Sequence, residues 1–229
     1  GYLSSSATNG PIALTFDDGP SPFTTPFVLQ SLKKYNAKAT FFCLGNMLHN
    51  REWIVRQTAA EGHEIGNHSC NHRPRPPQAV AEAEVDGTNE RLKNILGYEP
   101  RTYRPPYGIQ NASTTIRAQQ NRMPIVLWTC DTNDWRVRNT GAVIAAAARG
   151  IEPGGVILMH DIHAHSARAV PAILALLHSK GYECITISEM MSKWQAQADA
   201  DARAAVAAAQ AKTAQAAQAK PTGQTSATR

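Results

Sequence analysis

Short strands alternating with helices along most of the chain predict an α/β fold with a parallel sheet, because parallel neighbours need a crossover connection. Three observations lead there. Apolar runs bounded by glycine or proline recur between stretches of helical spacing; acids or histidines follow directly on four of those runs; and a composition 42% hydrophobic and 18% charged suits a globular core. Seven or eight such units suggest closure into a barrel, where functional groups stand at the C-terminal ends of strands. A (β/α) barrel typically takes about 250 residues. A shortened, distorted barrel is therefore expected, with an open doubly wound sheet as the alternative.

The elements follow in order. Pro11-Ile12-Ala13-Leu14 reads as a buried strand that runs into Thr15-Phe16-Asp17-Asp18-Gly19-Pro20, whose Gly-Pro pair stops it. Phe27, Val28, Leu32 and Tyr35 share one face of a helix over 24–35. Residues 39–44, β-branched and aromatic, form the next strand, and 52–61 a helix that stops at Gly62. Residues 63–68 read as a third strand, and 79–96 as a long helix ended by Gly97. After a proline-rich turn, 124–130 is a buried strand delivering Asp131, 141–149 a helix, and 155–159 a strand delivering His160. A helix over 169–179, a strand over 184–187 and a short helix over 188–194 complete the series.

From Gln195 the composition shifts to 15 Ala and 6 Gln in the last 35 residues. Alanine favours helix, but this stretch has no apolar face to bury. The chain thus divides into a catalytic domain, 1–194, and a tail, 195–229, helical at first and disordered over 221–229. Of the formal net charge of +5, the tail carries +2. No Lys/Arg cluster interleaved with aromatics marks a nucleic-acid surface, whereas a mildly basic body favours an anionic polymer such as a bacterial wall. No apolar run approaches the ~18 residues of a membrane helix, and no export signal is read at the start of the chain. Cys43, Cys70, Cys130 and Cys184 lack the Cys-x-x-Cys spacing of zinc sites, leaving buried thiols or unranked disulfides.

The chemistry begins with the paired carboxylates Asp17 and Asp18. His68-Ser69-Cys70-Asn71-His72 sets two imidazoles at i and i+4, one face of a helical turn, within reach of one metal ion. An aspartate from another strand end gives three N/O ligands and leaves positions open, the build of a catalytic zinc site, though cobalt or nickel also suits the donors. Asp18 completes that set, and Asp17 acts as general base on a water acidified by the cation. In Arg104-Pro105-Pro106-Tyr107-Gly108 the prolines fix the backbone, the arginine can clamp Asp17, and a main-chain N–H near Tyr107 can serve an oxyanion. Asp131-Thr132-Asn133-Asp134-Trp135 offers acids and an aromatic that can pack on a sugar. His160 is a natural general acid for a leaving amine or alkoxide.

Together these five segments, with Leu158-Met159-His160 the last, resemble the polysaccharide deacetylases, the NodB-homology domain of carbohydrate esterase family 4, over about residues 11–194. The resemblance implies a distorted (β/α) barrel and a divalent metal, zinc most readily, held by Asp18, His68 and His72. It implies Asp17 as base, positioned by Arg104, and His160 as acid, tuned by Asp131. Tyr107 lends a backbone N–H, and Trp135 and Leu158 line the pocket. The implied substrate is an acetylated polysaccharide, most readily N-acetylglucosamine units of chitin-type oligomers or peptidoglycan, with acetylxylan as rival and an inactive carbohydrate-binding relative as the other class. Such a protein is expected to be a monomer, secreted, periplasmic or wall-associated. The chain departs from the pattern after His72, where Arg73-Pro74-Arg75-Pro76-Pro77 replaces a proline directly after the histidine.

Overall fold

Strand β1, Gly10–Asp17, is the centre of the sheet in the computed structural model, which describes residues 9–218. Its residues are apolar almost without break, as expected of a parallel strand covered on both faces. Alternation sends Ile12, Leu14 and Phe16 into the main core against Val28, Leu29 and Leu32 of α1, Thr25–Lys34, and Ile173, Leu174 and Leu177 of α6, Ala164–Ser179. Each such side chain contributes about 1.5–3 kcal/mol on full burial. The opposite face carries Ala13, Thr15 and Asp17, all buried.

The sheet order is β3-β2-β1-β5-β4, with β6 paired to the first residues of β1, and every pairing is parallel. The strands are β2 Ala39–Cys43, β3 Glu64–Asn67, β4 Cys130–Asp131, β5 Val156–His160 and β6 Tyr182–Cys184. The remaining helices are α2 Glu52–Ala60, α3 Gln78–Leu96, α4 Ala112–Gln120, α5 Thr140–Arg149 and α7 Ile187–Gln218. The α/β architecture is as expected. Among the described residues the sheet has six strands, where seven or eight units are expected. Beyond β3 the ladder continues only through single bridges, Asn67 with Tyr103 and Tyr103 with Ile125.

Several boundaries differ for physical reasons. The apolar run 124–130 forms a ladder only at Cys130–Asp131, because Arg104 takes the carbonyls of Val126 and Leu127 (3.2 and 3.0 Å). Helix α6 starts five residues earlier than its apolar spacing indicates, and Ser166 of its first turn bonds Asp134. Helix α4 has only Thr114 and Ala118 buried, too little periodicity to read from sequence; it docks through a small cluster of Val85, Tyr103, Ala118 and Met123. Gly97 ends α3 in the left-handed region, φ 82°. All four cysteines are free and buried.

The chain separates into two compact units, Gly1–Met190 and Met191–Arg229. In the second, the side chains of residues 192–215 are exposed along a continuous helix. The disorder expected over 221–229 falls outside the described residues. Among those described, no helix is long and apolar enough to cross a membrane.

Candidate active site

Asp17 and His160 are register partners at the C-terminal ends of the adjacent strands β1 and β5, so the ladder itself sets them side by side. Asp18 would point to the opposite face if the strand continued. Instead the bend falls on Asp18 itself, φ 74°, one residue before the Gly-Pro pair expected to supply it. Gly19 allows close approach: a Cβ there would stand 2.5 Å from Asp161 Oδ1. Asp161 is buried behind the turn, accepts a hydrogen bond from Thr25 Oγ1 and is pushed up to about 7, chiefly by burial.

Arg104 is fully buried. Its Nη1 donates to Asp17 Oδ1 (2.8 Å) and Thr15 Oγ1 (2.7 Å), and its guanidinium lies 4.2 Å from the centre of the Phe42 ring. Burial lowers its pKa against the opposing pull of Asp17. One carboxylate oxygen of Asp17 is thus tied, and the other faces His68 Nε2 at 3.5 Å.

Asp18, His68 and His72 converge, their ligand-capable atoms all within 4.8 Å of one another. Both imidazole Nε2 atoms lie 3.4 Å from Asp18 Oδ1, which is buried and, among the described residues, has no hydrogen-bond partner. His68 Nδ1 donates to the Arg104 carbonyl (2.7 Å), which leaves the Nε2 lone pair facing two carboxylates in neutral imidazole. Such a group of acceptors needs a positive species among them, a proton or a cation. The residues therefore fit a divalent metal. With no cation, burial works against charge on His68, but Asp17 and Asp18 outweigh it and raise its pKa; burial prevails at His72 and lowers it. Burial opposes ionisation of Asp18 too, yet the three histidines, His68 foremost, bring it down to about 2. The histidine pair is not on a helical turn: left-handed Ser69 (φ 72°) and His72 (φ 57°) bend a loop after β3 to the same effect.

His160 Nδ1 donates to Asp134 Oδ1 (2.7 Å), and its backbone N–H to Asp134 Oδ2 (2.7 Å). The contact expected of Asp131 is therefore made by Asp134. Asn133, at φ 54°, turns the chain between them, so that Asp134 is fully buried while Asp131 accepts from Asn133 N–H and lines the cavity. Burial disfavours the charged imidazole, but the bond and charge of Asp134 prevail and raise His160 to about 9. The Ser166 hydroxyl also donates to Asp134, and His165 Nε2 to its carbonyl.

Asp17, Asp18, His68, His72, Asp131 and His160 share a cavity of about 420 Å³ whose apolar wall includes Leu158, Trp135, Tyr107 and Trp128. Tyr107 stands at φ 58°, its ring 4.6 Å from that of His72. Trp135 is half exposed. Trp128 is an addition: its apolar context reads as a core strand, yet it backs onto Gly108, where a Cβ would stand 2.9 Å from the indole. Glu84 is another, a buried carboxylate from α3 under the His68–His72 loop. Its spacing from Ala81, Thr88 and Leu92 sets it on the buried face of α3, a signal the charge of the side chain masks.

The family model for polysaccharide deacetylases matches residues 4–126. The chain is 42% identical over 185 residues to the peptidoglycan-N-acetylglucosamine deacetylase PgdA of Listeria monocytogenes, covering 80% of this chain and 39% of that protein. It is 39% identical over 181 residues to the peptidoglycan-N-acetylmuramic acid deacetylase PdaC of Bacillus subtilis, covering 78% and 38%. The chain thus spans about two fifths of the length of these relatives. The solved structure of Bacillus subtilis PdaC superposes with a TM-score of 0.80 at 36% identity, covering 87% of this chain and 98% of that one. A family 4 carbohydrate esterase from Streptomyces lividans, solved with acetate, gives 0.72 at 34%, covering 77% and 92%. With a family match over more than half its length and the same fold as solved members, the chain belongs to the polysaccharide deacetylases.

Proposed function

We propose that this chain is a metal-dependent hydrolase that removes N-acetyl groups from the amino sugars of peptidoglycan. The observation that carries the reading is convergence: Asp17, the Asp18–His68–His72 group and His160 all open on one cavity, with Arg104 and Asp134 buried behind Asp17 and His160. Asp18, His68 and His72 would hold the cation, zinc first, with cobalt or nickel suiting the same donors. When bound, such a cation acidifies a water and polarises the acetyl carbonyl.

The chain's own residues do the rest. Asp17, oriented by Arg104, takes the proton of the attacking water at its untied oxygen. The Tyr107 N–H donates to the oxygen on which charge develops. His160, cationic through Asp134 and so acidic at Nε2, protonates the departing nitrogen, a step of the kind worth about 10²–10⁴ in rate. Trp135 and Leu158 wall the space for sugar and acetyl, and Asp134 tunes the acid in place of Asp131.

The relatives named for peptidoglycan and the formal charge of +5 support a wall polymer over xylan. Such a substrate fits a monomeric protein working outside the cytoplasm, with residues 1–194 as catalytic domain and 195–229 as a linker or stalk. Acetate release from peptidoglycan, chitin-type oligomers and acetylxylan, with and without chelator, tests the reading. Release from the N-acetylated polymers that stops on chelation and returns with zinc is expected. Release indifferent to chelator sinks the metal, release from acetylxylan alone sinks the substrate, and tight glycan binding without acetate under several metals leaves a binding protein.

A further inference from the structure

His68 and His72 are held in unlike ways. His68 directly follows β3, its backbone N–H on Cys43 O (3.0 Å) and its imidazole on Arg104 O. His72 ends an excursion containing two left-handed non-glycine residues, Ser69 and His72. Backbone of that kind costs of order 1–3 kcal/mol per residue and persists only where surrounding bonds over-determine it.

Asn67 Oδ1 accepts the Ser69 N–H (2.7 Å), Ser69 Oγ accepts the His72 N–H (3.2 Å), and the N–H groups of Gly45 and Asn46 donate to the carbonyls of Ser69 and Cys70 (3.0 and 3.1 Å). The middle of the loop is held by one side chain on α3. Glu84 is 2% exposed. Its Oε2 accepts the backbone N–H groups of Cys70 (3.0 Å) and Asn71 (2.8 Å); its Oε1 accepts from Asn71 Nδ2 (3.0 Å) and pairs with Arg73 Nε (3.3 Å). The helix is itself locked to β3 by Asn67 Nδ2, which donates to Val85 O (2.9 Å) and Asn89 Oδ1 (2.7 Å). Arg73 belongs to the stretch 73–77, whose far end is fixed as well: Asn111 Nδ2 and Ser113 Oγ both donate to Pro76 O (2.8 Å each). Asn111 precedes α4 but makes no cap of its own helix. An amide at position 84 would offer one acceptor oxygen and turn an NH₂ toward the remaining donors.

We propose that Glu84 is a positioning residue for the metal site: its carboxylate holds the loop so that His72 Nε2 faces Asp18 Oδ1, and thereby sets the affinity for the cation. The inference rests on the reading of Asp18, His68 and His72 as ligands.

The test is zinc affinity by chelator competition and the visible spectrum of bound cobalt(II), on the full chain stripped of metal, for wild type, Glu84→Gln and His72→Ala. His72→Ala should lose binding. Glu84→Gln, folded by circular dichroism, should bind zinc about 10–100-fold more weakly, the usual effect of removing a ligand's supporting partner, with a cobalt spectrum altered as His72 yields to water. Wild-type affinity in folded Glu84→Gln, beside a His72→Ala that does not bind, overturns the inference alone. Wild-type affinity in His72→Ala overturns the ligand reading and this inference with it. Should Glu84→Gln not fold, the double variant Asn71→Ala/Arg73→Ala strips both exposed partners from Oε1. Several-fold weaker zinc binding is then expected, and unchanged binding overturns the proposal.

Discussion

The two flanks of the cavity are built on different plans. On one, Asp17 and His160 are set opposite each other by the β1–β5 ladder, and Asp18 follows at the left-handed bend that ends β1. On the other, His72, Tyr107 and Trp135 ride on irregular segments bent by left-handed residues at Ser69, His72, Tyr107 and Asn133. A ladder spreads the positioning of one side chain over many backbone bonds. An irregular segment relies on fewer bonds and on side chains, among them the buried acids Glu84 under the metal loop and Asp134 under the Trp135 loop. The backbone of the first flank should therefore hold its place when groups behind it change, while that of the second should yield to changes a residue or two behind it. The reacting side chains of the first still draw on buried partners, Arg104 for Asp17 and Asp134 for His160.

Removing the cation should have the largest effect, since it serves both flanks: acetate release should fall to background in chelator and recover with zinc or cobalt, read by an acetate assay. Asp17→Asn comes next, with kcat down by about 10²–10⁴ and bound metal unchanged by elemental analysis. If the metal is lost as well, the ladder flank is less independent than the comparison holds.

Asp134→Asn probes the indirect support. His160 is raised to about 9 by the bond and charge of Asp134 acting against burial. Its acid form is therefore present below that value and lost above it. Without the carboxylate, the alkaline limb of the kcat profile should move toward or below the ordinary histidine value near 6.5. The same sign governs stability. A pKa raised on folding gives a contribution complete below about 6.5 and lost as pH rises through about 9. The variant's stability deficit relative to wild type should thus narrow at alkaline pH in urea titrations at two pH values. An alkaline limb that stays in place would remove Asp134 from the acid's control. Trp135→Ala should do least, raising KM for polymer by about tenfold, some 1.4 kcal/mol, with kcat nearly kept.

The same contrast explains what the sequence could disclose. The ladder flank was legible because a strand's period and a charged residue at its end are both local signals, and Asp17 and His160 needed no more. The metal group was legible from spacing, though for a different reason than helical geometry: a bent loop also returns a side chain four residues on. Asp131 and Asp134 lie in one five-residue segment, and which carboxylate turns inward depends on the left-handed Asn133, which composition does not announce. Glu84 in a helix and Asp161 after a histidine look like solvated acids until tertiary packing covers them. The run 124–130 has the apolar content of a strand, but its carbonyls are claimed by a side chain 22 or 23 residues away.

That side chain belongs to Arg104. Where main-chain pairing thins out between β3 and β4, its guanidinium joins Val126 and Leu127 to Thr15 and Asp17 from the inside. Removing one partner of such a buried pair costs about 3–5 kcal/mol, a large share of a domain's total stability. Orientation of the base is thus coupled to completion of the fold. A molecule that has not yet brought this stretch to β1 has no aligned base, so on the proposed reading an immature or partly opened chain is inert toward its polymer, and activity per molecule reports how much of the population is fully assembled.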